Sequence, residues 1–298
     1  MHAWTENKPI ASEDTASIYF LMSWYLYLIG QYNEAEDKAI VSATMRASIL
    51  GAEHSDTLAS LDHLALTYWK QGRWTETEEL QVAVLGTHEK VLGLAHPDTL
   101  TSIHNIALTY SNQGRWKEAE ELQVAELEAI KRVLGLEHPH TLASMANLAL
   151  TYSNQGRWKE AEELQVAELQ AIKKILGVEH PDTLTMINNL ASTYWDQGRW
   201  KESEELQVTV LETRKKVLGL EHPSTLTSMA NLAHTFHSLG RTQDAIAMMT
   251  KALVYRIAKL GISHPDTIQS QLTLGGWNQV IRHLASIQHS HAWLTRSN

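Results

Sequence analysis

Residues Gly114–Leu122 read Gly-Arg-Trp-Lys-Glu-Ala-Glu-Glu-Leu, and the same nine residues return unchanged at Gly156–Leu164. Weaker copies of this stretch occur on either side, and every copy begins 42 residues after the previous one. The six copies begin at Gly30, Gly72, Gly114, Gly156, Gly198 and Gly240. Self-similarity at one fixed period is typical of solenoid proteins, in which stacked repeats share one continuous core.

Two further features keep the same 42-residue step. One is a second set of glycines, namely Gly51, Gly93, Gly135, Gly177, Gly219 and Gly261. The other is the histidine of a Glu-His-Pro-like corner, namely His54, His96, His138, His180, His222 and His264. The sequence therefore predicts six copies of one structural unit, although a length of 298 residues would otherwise suggest about two globular domains.

The composition excludes several classes of function. The net charge of -9 argues against a nucleic-acid backbone as the main partner, because such binding needs a basic surface. The chain has no cysteine, which excludes disulfides, thiolate metal sites and a cysteine nucleophile, and fits a reducing compartment. Met1–Pro9 lacks the pattern of a signal peptide, and the most apolar run, Tyr19–Ile29, is too short to span a bilayer. We expect a cytoplasmic protein that does not bind membranes.

The unit that begins at Pro97 predicts a pair of helices. Helix A covers about Asp98–Asn112, with Asp98 or Thr99 as its cap. Helix B covers about Trp116–Leu134, and a glycine follows each helix. Apolar residues recur at helical spacing in both helices, and we expect polar residues on the outer face of helix B. The two stripes are Leu100, Ile103, Ala107 and Tyr110, and Trp116, Ala119, Leu122, Leu127, Ile130 and Leu134.

The fold class predicted from this pattern is all-α, because no segment shows strand alternation. We expect a lead-in over residues 1–12, six helix pairs over 13–265, and a capping segment of one or two helices over 266–298. Ala107–Leu127 and Ala149–Leu169 are identical, so the centre of the array is generic. Information about a particular ligand should therefore lie where the repeats differ.

Each unit resembles a tetratricopeptide repeat (TPR). The residues that carry the resemblance are Ala149, Tyr152, Gly156, Trp158 and Ala161. The 42-residue period, the long helix B and the Leu-Gly-x-Glu-His-Pro-x-Thr-Leu corner resemble the kinesin-light-chain type, which is common in fungal proteins. The resemblance implies an α-solenoid that winds as a right-handed superhelix with a concave groove.

This chain departs from the family pattern on helix B. Polar Gln123, Gln165 and Gln207 stand where the family usually has a large aromatic residue, and Glu126, Glu168 and Val210 stand where it usually has alanine.

The resemblance also implies that helix A lines the concave groove. One of its positions carries an asparagine that holds the backbone of a bound peptide in related arrays, and an amide suits this because it both donates and accepts. The matching residues are Asn105, Asn147, Asn189 and Asn231, with His63 in place of asparagine in an earlier unit. The alternative is that these amides only bond neighbouring repeats.

Other positions on helix A vary between repeats. They are Phe20, Leu21, Trp24, Tyr27 and Leu28 in the first unit, then His63, Leu66, Trp69, His104, Trp195, Asp196, His234 and His237. The apolar first unit predicts a pocket for an aromatic ligand or a peptide anchor. The alternatives are that Met1–Pro9 covers it, that two chains associate through it, or that an upstream domain is missing.

The histidines do not predict a metal site. The corner histidines recur one repeat apart, too far for shared coordination, and we expect them to cap or pack locally. His234 with His237, and His289 with His291, lack a carboxylate at fixed spacing. No phosphate-binding glycine-rich loop or hydrolase motif is present, so we expect neither metal nor cofactor.

Two functions follow from these residues. The first is a scaffold that binds a peptide or protein segment in its groove through the asparagines, with Trp69, Trp195, Trp24, Phe20 and Tyr27 setting specificity. The second is a cofactor-independent enzyme that condenses, cyclises or isomerises a small molecule in a biosynthetic pathway by acid–base chemistry. Its candidate groups are His63, His104, His234, His237, Asp62, Asp196 and Tyr27.

Overall fold

The computed structural model describes residues 12–277, and within that range every regular element is a helix and none is a strand. Helices A of 16 residues alternate with helices B of 19 residues. They are α1 (Glu13–Leu28), α2 (Tyr32–Leu50), α3 (Ser55–Lys70), α4 (Trp74–Leu92), α5 (Pro97–Asn112), α6 (Trp116–Leu134), α7 (Pro139–Asn154), α8 (Trp158–Leu176), α9 (Pro181–Asp196), α10 (Trp200–Leu218), α11 (Pro223–Ser238) and α12 (Thr242–Leu260).

A further helical stretch covers 265–277. The predictions of an all-α fold and of six helix pairs are confirmed. The expected lead-in and most of the expected capping segment lie outside the described residues, so the boundaries at 12 and 265 stay predictions.

The chain divides into two compact units, 1–155 and 156–298. In the described part of the first unit, successive helices pack against each other from the pair α1 and α2 to the pair α6 and α7. In the second, the same holds from α8 to α12. Each helix therefore buries its apolar stripe against its sequence neighbours, as the 42-residue repeat predicts.

A histidine, not the expected Asp98 or Thr99, caps each helix A from α3 onward, whereas Ser12 caps α1. His96 takes the N-cap position of α5, and its Nδ1 accepts from the N–H of Asp98 at 3.2 Å. Thr99 instead donates its hydroxyl proton to the carbonyl of Gly93 at 2.8 Å. The prediction that the corner histidines cap or pack locally is confirmed, because the same bond recurs at His54, His138, His180, His222 and His264.

The repeated stretch that begins at Gly114 forms the turn between helices A and B. Gly114 has a φ of 74°, a left-handed conformation that costs glycine little. Arg115 then stacks its guanidinium over the ring of Tyr110 at 3.9 Å and donates Nη1 to Glu78 of the previous helix B at 2.7 Å. The conserved turn is therefore also a link between adjacent repeats.

The apolar stripes meet in the core as predicted, with Leu100, Ile103 and Ile130 forming one buried cluster. The expectation that polar residues of helix B lie outside is wrong at two positions, because Gln123 and Glu126 are each 2% exposed. Related glutamines show why a polar group fits there: the side chain of Gln81 accepts from the Thr109 hydroxyl of the next helix A at 2.8 Å.

Candidate functional site

The compact unit of residues 1–155 holds a cavity of about 400 Å³, here called the aromatic cavity. Residues from the four helices α1, α3, α4 and α5 line it. Its walls include Phe20, Trp24, Asp62, His63, Leu66, Trp69 and Asn105. Most of the groove residues predicted for the first three repeats therefore line this one cavity.

His63 is the most enclosed polar group beside this cavity, with 4% of its surface exposed. Its Nε2 lies 2.8 Å from the hydroxyl of Ser23, which itself donates to the carbonyl of Ala35 at 2.7 Å. Because the hydroxyl has one proton to give, Nε2 of His63 must be the donor in the first bond. Nδ1 is then a lone-pair acceptor, and it is buried without a hydrogen-bond partner in the described part of the chain.

Three aromatic rings surround the imidazole of His63. The ring centroids of Phe20, Trp24 and Tyr27 lie 5.6, 4.5 and 5.6 Å from it. This apolar surrounding lowers the pKa of His63 to about 4, because burial penalises the charged ring. His63 is therefore neutral at physiological pH and presents one unused acceptor among aromatic rings.

Asp62 adds the one carboxylate among the lining residues. Burial, and secondly the negative charge of Asp98, raise the pKa of Asp62 to about 6. Near neutral pH Asp62 is therefore mostly ionised, but it takes up a proton more readily than an ordinary aspartate. It lies beside the neutral imidazole of His63.

His104 lies in a different cavity, of about 250 Å³, here called the Glu126 cavity. Its Nδ1 lies 3.0 Å from Oε1 of Glu126, and its Nε2 lies 3.4 Å from the side-chain nitrogen of Asn147. The candidate residues His63 and Trp69 therefore share one cavity, and His104 does not join them.

The compact unit of residues 156–298 has its own cavity of about 300 Å³, lined by Trp195, Asp196, Asn231 and His234 among others. Burial raises the pKa of Asp196. Burial, and secondly the charge of His237, lower the pKa of His234. The ring of His237 lies outside this set and stacks on Trp277 at 4.7 Å.

The four candidate asparagines have different surroundings. Asn105 lines the aromatic cavity. Asn147 contacts His104, as described above, and Asn231 donates to the side-chain oxygen of Asn188 at 3.1 Å. Asn189 is exposed on α9. Two of the four thus bond the preceding helix A, while their role toward a peptide stays a prediction.

The comparisons with known proteins agree with this architecture. A family model for the tetratricopeptide repeat matches residues 56–123, 103–166, 142–205 and 182–254. The chain belongs to the tetratricopeptide-repeat family. The matches overlap and cover all the residues that line the Glu126 cavity, and they cover the lining of the aromatic cavity except Phe20 and Trp24 on α1.

Solved structures refine this assignment. The TPR array is 33% identical to a kinesin-light-chain-type protein of nearly identical TPR-like repeats from Podosopora anserina, with 69% of this chain and 98% of that one covered and a TM-score of 0.64. BtubC (BKLC) from P. vanneervenii is 19% identical over 78% of this chain and 91% of that one, with a TM-score of 0.63, and shows the fold alone. The comparison with curated proteins found no match.

Within residues 12–277 of the TPR array, no three histidine or acidic side chains converge as a metal site would need. In the same range no helix combines the length and apolarity needed to cross a membrane. His289 and His291 lie outside the described residues.

The burial of Glu126 and Glu168, which are 2% and 3% exposed, is what the sequence reasoning missed. The available signal was the replacement of the alanine that is usual in the family. A small residue at that point marks close packing between helices, so a glutamate there was bound to be enclosed.

Proposed function

We propose that the TPR array is a cytoplasmic interaction scaffold that binds an extended protein segment along its helices A. An aromatic side chain of that segment enters the aromatic cavity as its main anchor. The observation that carries this proposal is the composition of the cavity wall, in which most of the lining residues, among them Phe20, Trp24 and Trp69, supply apolar surface. Such pockets typically bind by apolar burial, with the polar groups fixing orientation.

The polar groups at the cavity wall suit a protein segment. The Asn105 amide carries both N–H donors and a carbonyl acceptor, and a peptide bond needs a partner of each kind. Trp24 is 41% exposed, so an incoming ring has an aromatic face to pack against. The cavity volume of about 400 Å³ is near the lower end of ligand pockets, which fits a side chain better than a large cofactor.

A selection experiment tests this function. A library of random peptides is selected against the purified protein, and bound peptides are measured against Trp69→Ala and against Trp200→Ala, a control at a 39% exposed tryptophan outside the cavity. We expect aromatic residues to be enriched, and Trp69→Ala to weaken binding about tenfold or more, as for a buried anchor. Circular dichroism confirms that both variants fold. Equal binding to Trp69→Ala and wild type would remove the cavity from the proposal.

One observation favours the second candidate, an acid–base enzyme. Asp62, with a pKa of about 6, could exchange a proton with a bound small molecule near neutral pH. The arrangement of the histidines weighs against it, because His63 uses Nε2 to hold Ser23 and His104 lies in another cavity. We therefore favour the scaffold.

A further inference from the structure

One position of helix B holds a buried arginine in the first, fifth and sixth repeats, and we call it the arginine position. Arg46 there is 6% exposed. Its Nη1 donates to the carbonyl of Asp56 at 2.9 Å and to the hydroxyl of Ser60 at 3.0 Å, both on the next helix A. The same pair of bonds recurs for Arg214 with Ser224 and Ser228, and for Arg256 with Asp266 and Ser270.

The remaining repeats lack this arginine. His88 takes its place in the second repeat, and its Nδ1 lies 2.9 Å from the hydroxyl of Ser102. Ile130 and Ile172 take its place in the third and fourth. Isoleucine has no donor, and Ser144, the counterpart of Ser60, accordingly has a buried hydroxyl without a partner in the described part of the chain.

A carboxylate stands one helical turn before the arginine position only in the two repeats that have isoleucine there. These carboxylates are Glu126 and Glu168. The other repeats have Ser42, Val84, Val210 and Ala252. The third and fourth repeats have therefore lost a buried cation and gained a buried carboxyl group.

Glu126 is only partly compensated by its neighbours. Oε1 accepts from Nδ1 of His104, whose Nε2 faces the amide nitrogen of Asn147. In that pattern Nδ1 of His104 is the donor to Glu126. Oε2 of Glu126 is buried and has no hydrogen-bond partner among the described residues. A buried carboxylate of this kind is costly unless a cation or a donor reaches it.

The wall of the Glu126 cavity combines the kinds of groups that an arginine side chain contacts. Leu100, Ile130 and Val133 give it aliphatic walls, and Glu126 gives it an anionic group. His140, the counterpart of Asp56, also lines it. One of the two residues that accept from Arg46 in the first repeat thus has a counterpart in the wall of this cavity, and the carboxylate is added.

We propose that the Glu126 cavity binds the side chain of an arginine supplied by the partner segment. The arginine stem lies along the aliphatic wall, and its guanidinium donates to Glu126 Oε2. Arginine fits better than lysine, because a planar fork of five donors can reach several acceptors at once. This inference rests on the scaffold function in one respect, namely that the arginine comes from a protein.

Binding of a small probe tests the cavity without the partner. The probe is N-acetyl-arginine methylamide, and the control is its citrulline counterpart, which has similar length and no charge. The methyl signal of Ile130 in isoleucine-labelled protein is followed by NMR. We expect saturable shifts with the arginine probe, binding at least tenfold weaker for citrulline, and loss of the shifts in Glu126→Gln. Equal binding of both probes, or no saturable shift, would overturn the proposal.

A variant that supplies its own guanidinium provides an independent test. Ile130→Arg should melt a few degrees higher than Ile130→Met, the uncharged control of comparable length, because it satisfies Glu126 and Ser144. A lower melting temperature for Ile130→Arg than for Ile130→Met would show that the cavity does not accept a guanidinium. Neither test involves the aromatic cavity. A negative result for the Glu126 cavity would therefore leave the scaffold function standing, and a failed peptide selection would leave both tests of the Glu126 cavity interpretable.

Discussion

At the arginine position, the outer repeats and the third repeat differ in charge while their backbones are alike. Arg46 and Arg214 fill the space between successive helices with the chain's own guanidinium, held by neutral acceptors. In the third repeat Ile130 leaves a cavity in the same place, beside the carboxylate of Glu126. The helix bounds and the histidine corners are the same in the outer repeats and in the third repeat. The arginine position can therefore stabilise the fold in one repeat and bind a ligand in another.

A second contrast separates the two carboxylates. Glu126 has His104 as its hydrogen-bond donor. For Glu168 the structure gives burial as the one cause of a raised pKa, at about 7. The same residue, copied into two nearly identical repeats, therefore has different consequences according to the residues of the neighbouring helix A.

The largest expected effect concerns the outer repeats. Arg214→Met keeps the aliphatic stem and removes the donors to Ser224 and Ser228, so we expect a loss of about 2–3 kcal/mol in the free energy of unfolding. Chemical denaturation followed by circular dichroism measures it. Lys216→Met is the control, because Lys216 is exposed on the same helix and pairs with Glu179 at the surface. If both variants are equally stable, the buried arginine does not stabilise the outer repeats, and the contrast with the third repeat fails.

A smaller, pH-dependent effect is expected at Glu168. Its folded-state pKa of about 7 lies above the ordinary value of 4.5, so the folded state binds the proton more tightly. Stability is then lost as pH rises from 4.5 to 7. Glu168→Val, which introduces the residue found at Val84 and Val210, should gain on the order of 2 kcal/mol at alkaline pH and far less near pH 4.5.

The measurement for Glu168 is the denaturation midpoint across the pH range. Glu163→Val, at an exposed position of the same helix, is the control and should show no such pH dependence. A gain at Glu168→Val that is equal at every pH would mean that packing, and not the charge, sets the cost.

The sequence predicted the scaffold well because its signals are local and repeated six times. The expected helix B, Trp116–Leu134, matches α6 at both ends, since glycine turns and apolar spacing mark it directly. The sequence favours Asp98 or Thr99 as the cap, because aspartate and threonine are preferred capping residues. Proline at the first helical position moves the cap back to His96, and this could have been read from the sequence.

The candidate site was harder to predict, because its residues meet across repeats. His63 and His104 stand at similar places in the sequence of their units, yet they lie in different cavities. Their partners come from different helices, Ser23 on the preceding α1 for His63 and Glu126 on the following α6 for His104. One sequence gives the spacing of such residues along a helix, whereas their partners follow from packing.

The smallest expected effect lies at the corners, which the two kinds of repeat share. His96 caps the helix that carries His104, and His222 caps the last helix A of the outer repeats. His96→Ala and His222→Ala should each cost about 1 kcal/mol, as the loss of a cap usually does, and His96→Asn should restore most of it. Denaturation midpoints of the three variants measure these changes. Similar losses at both corners would confine the difference between the repeats to the arginine position and its carboxylate, whereas a much larger loss at His96 would mean that the cap also supports the Glu126 cavity.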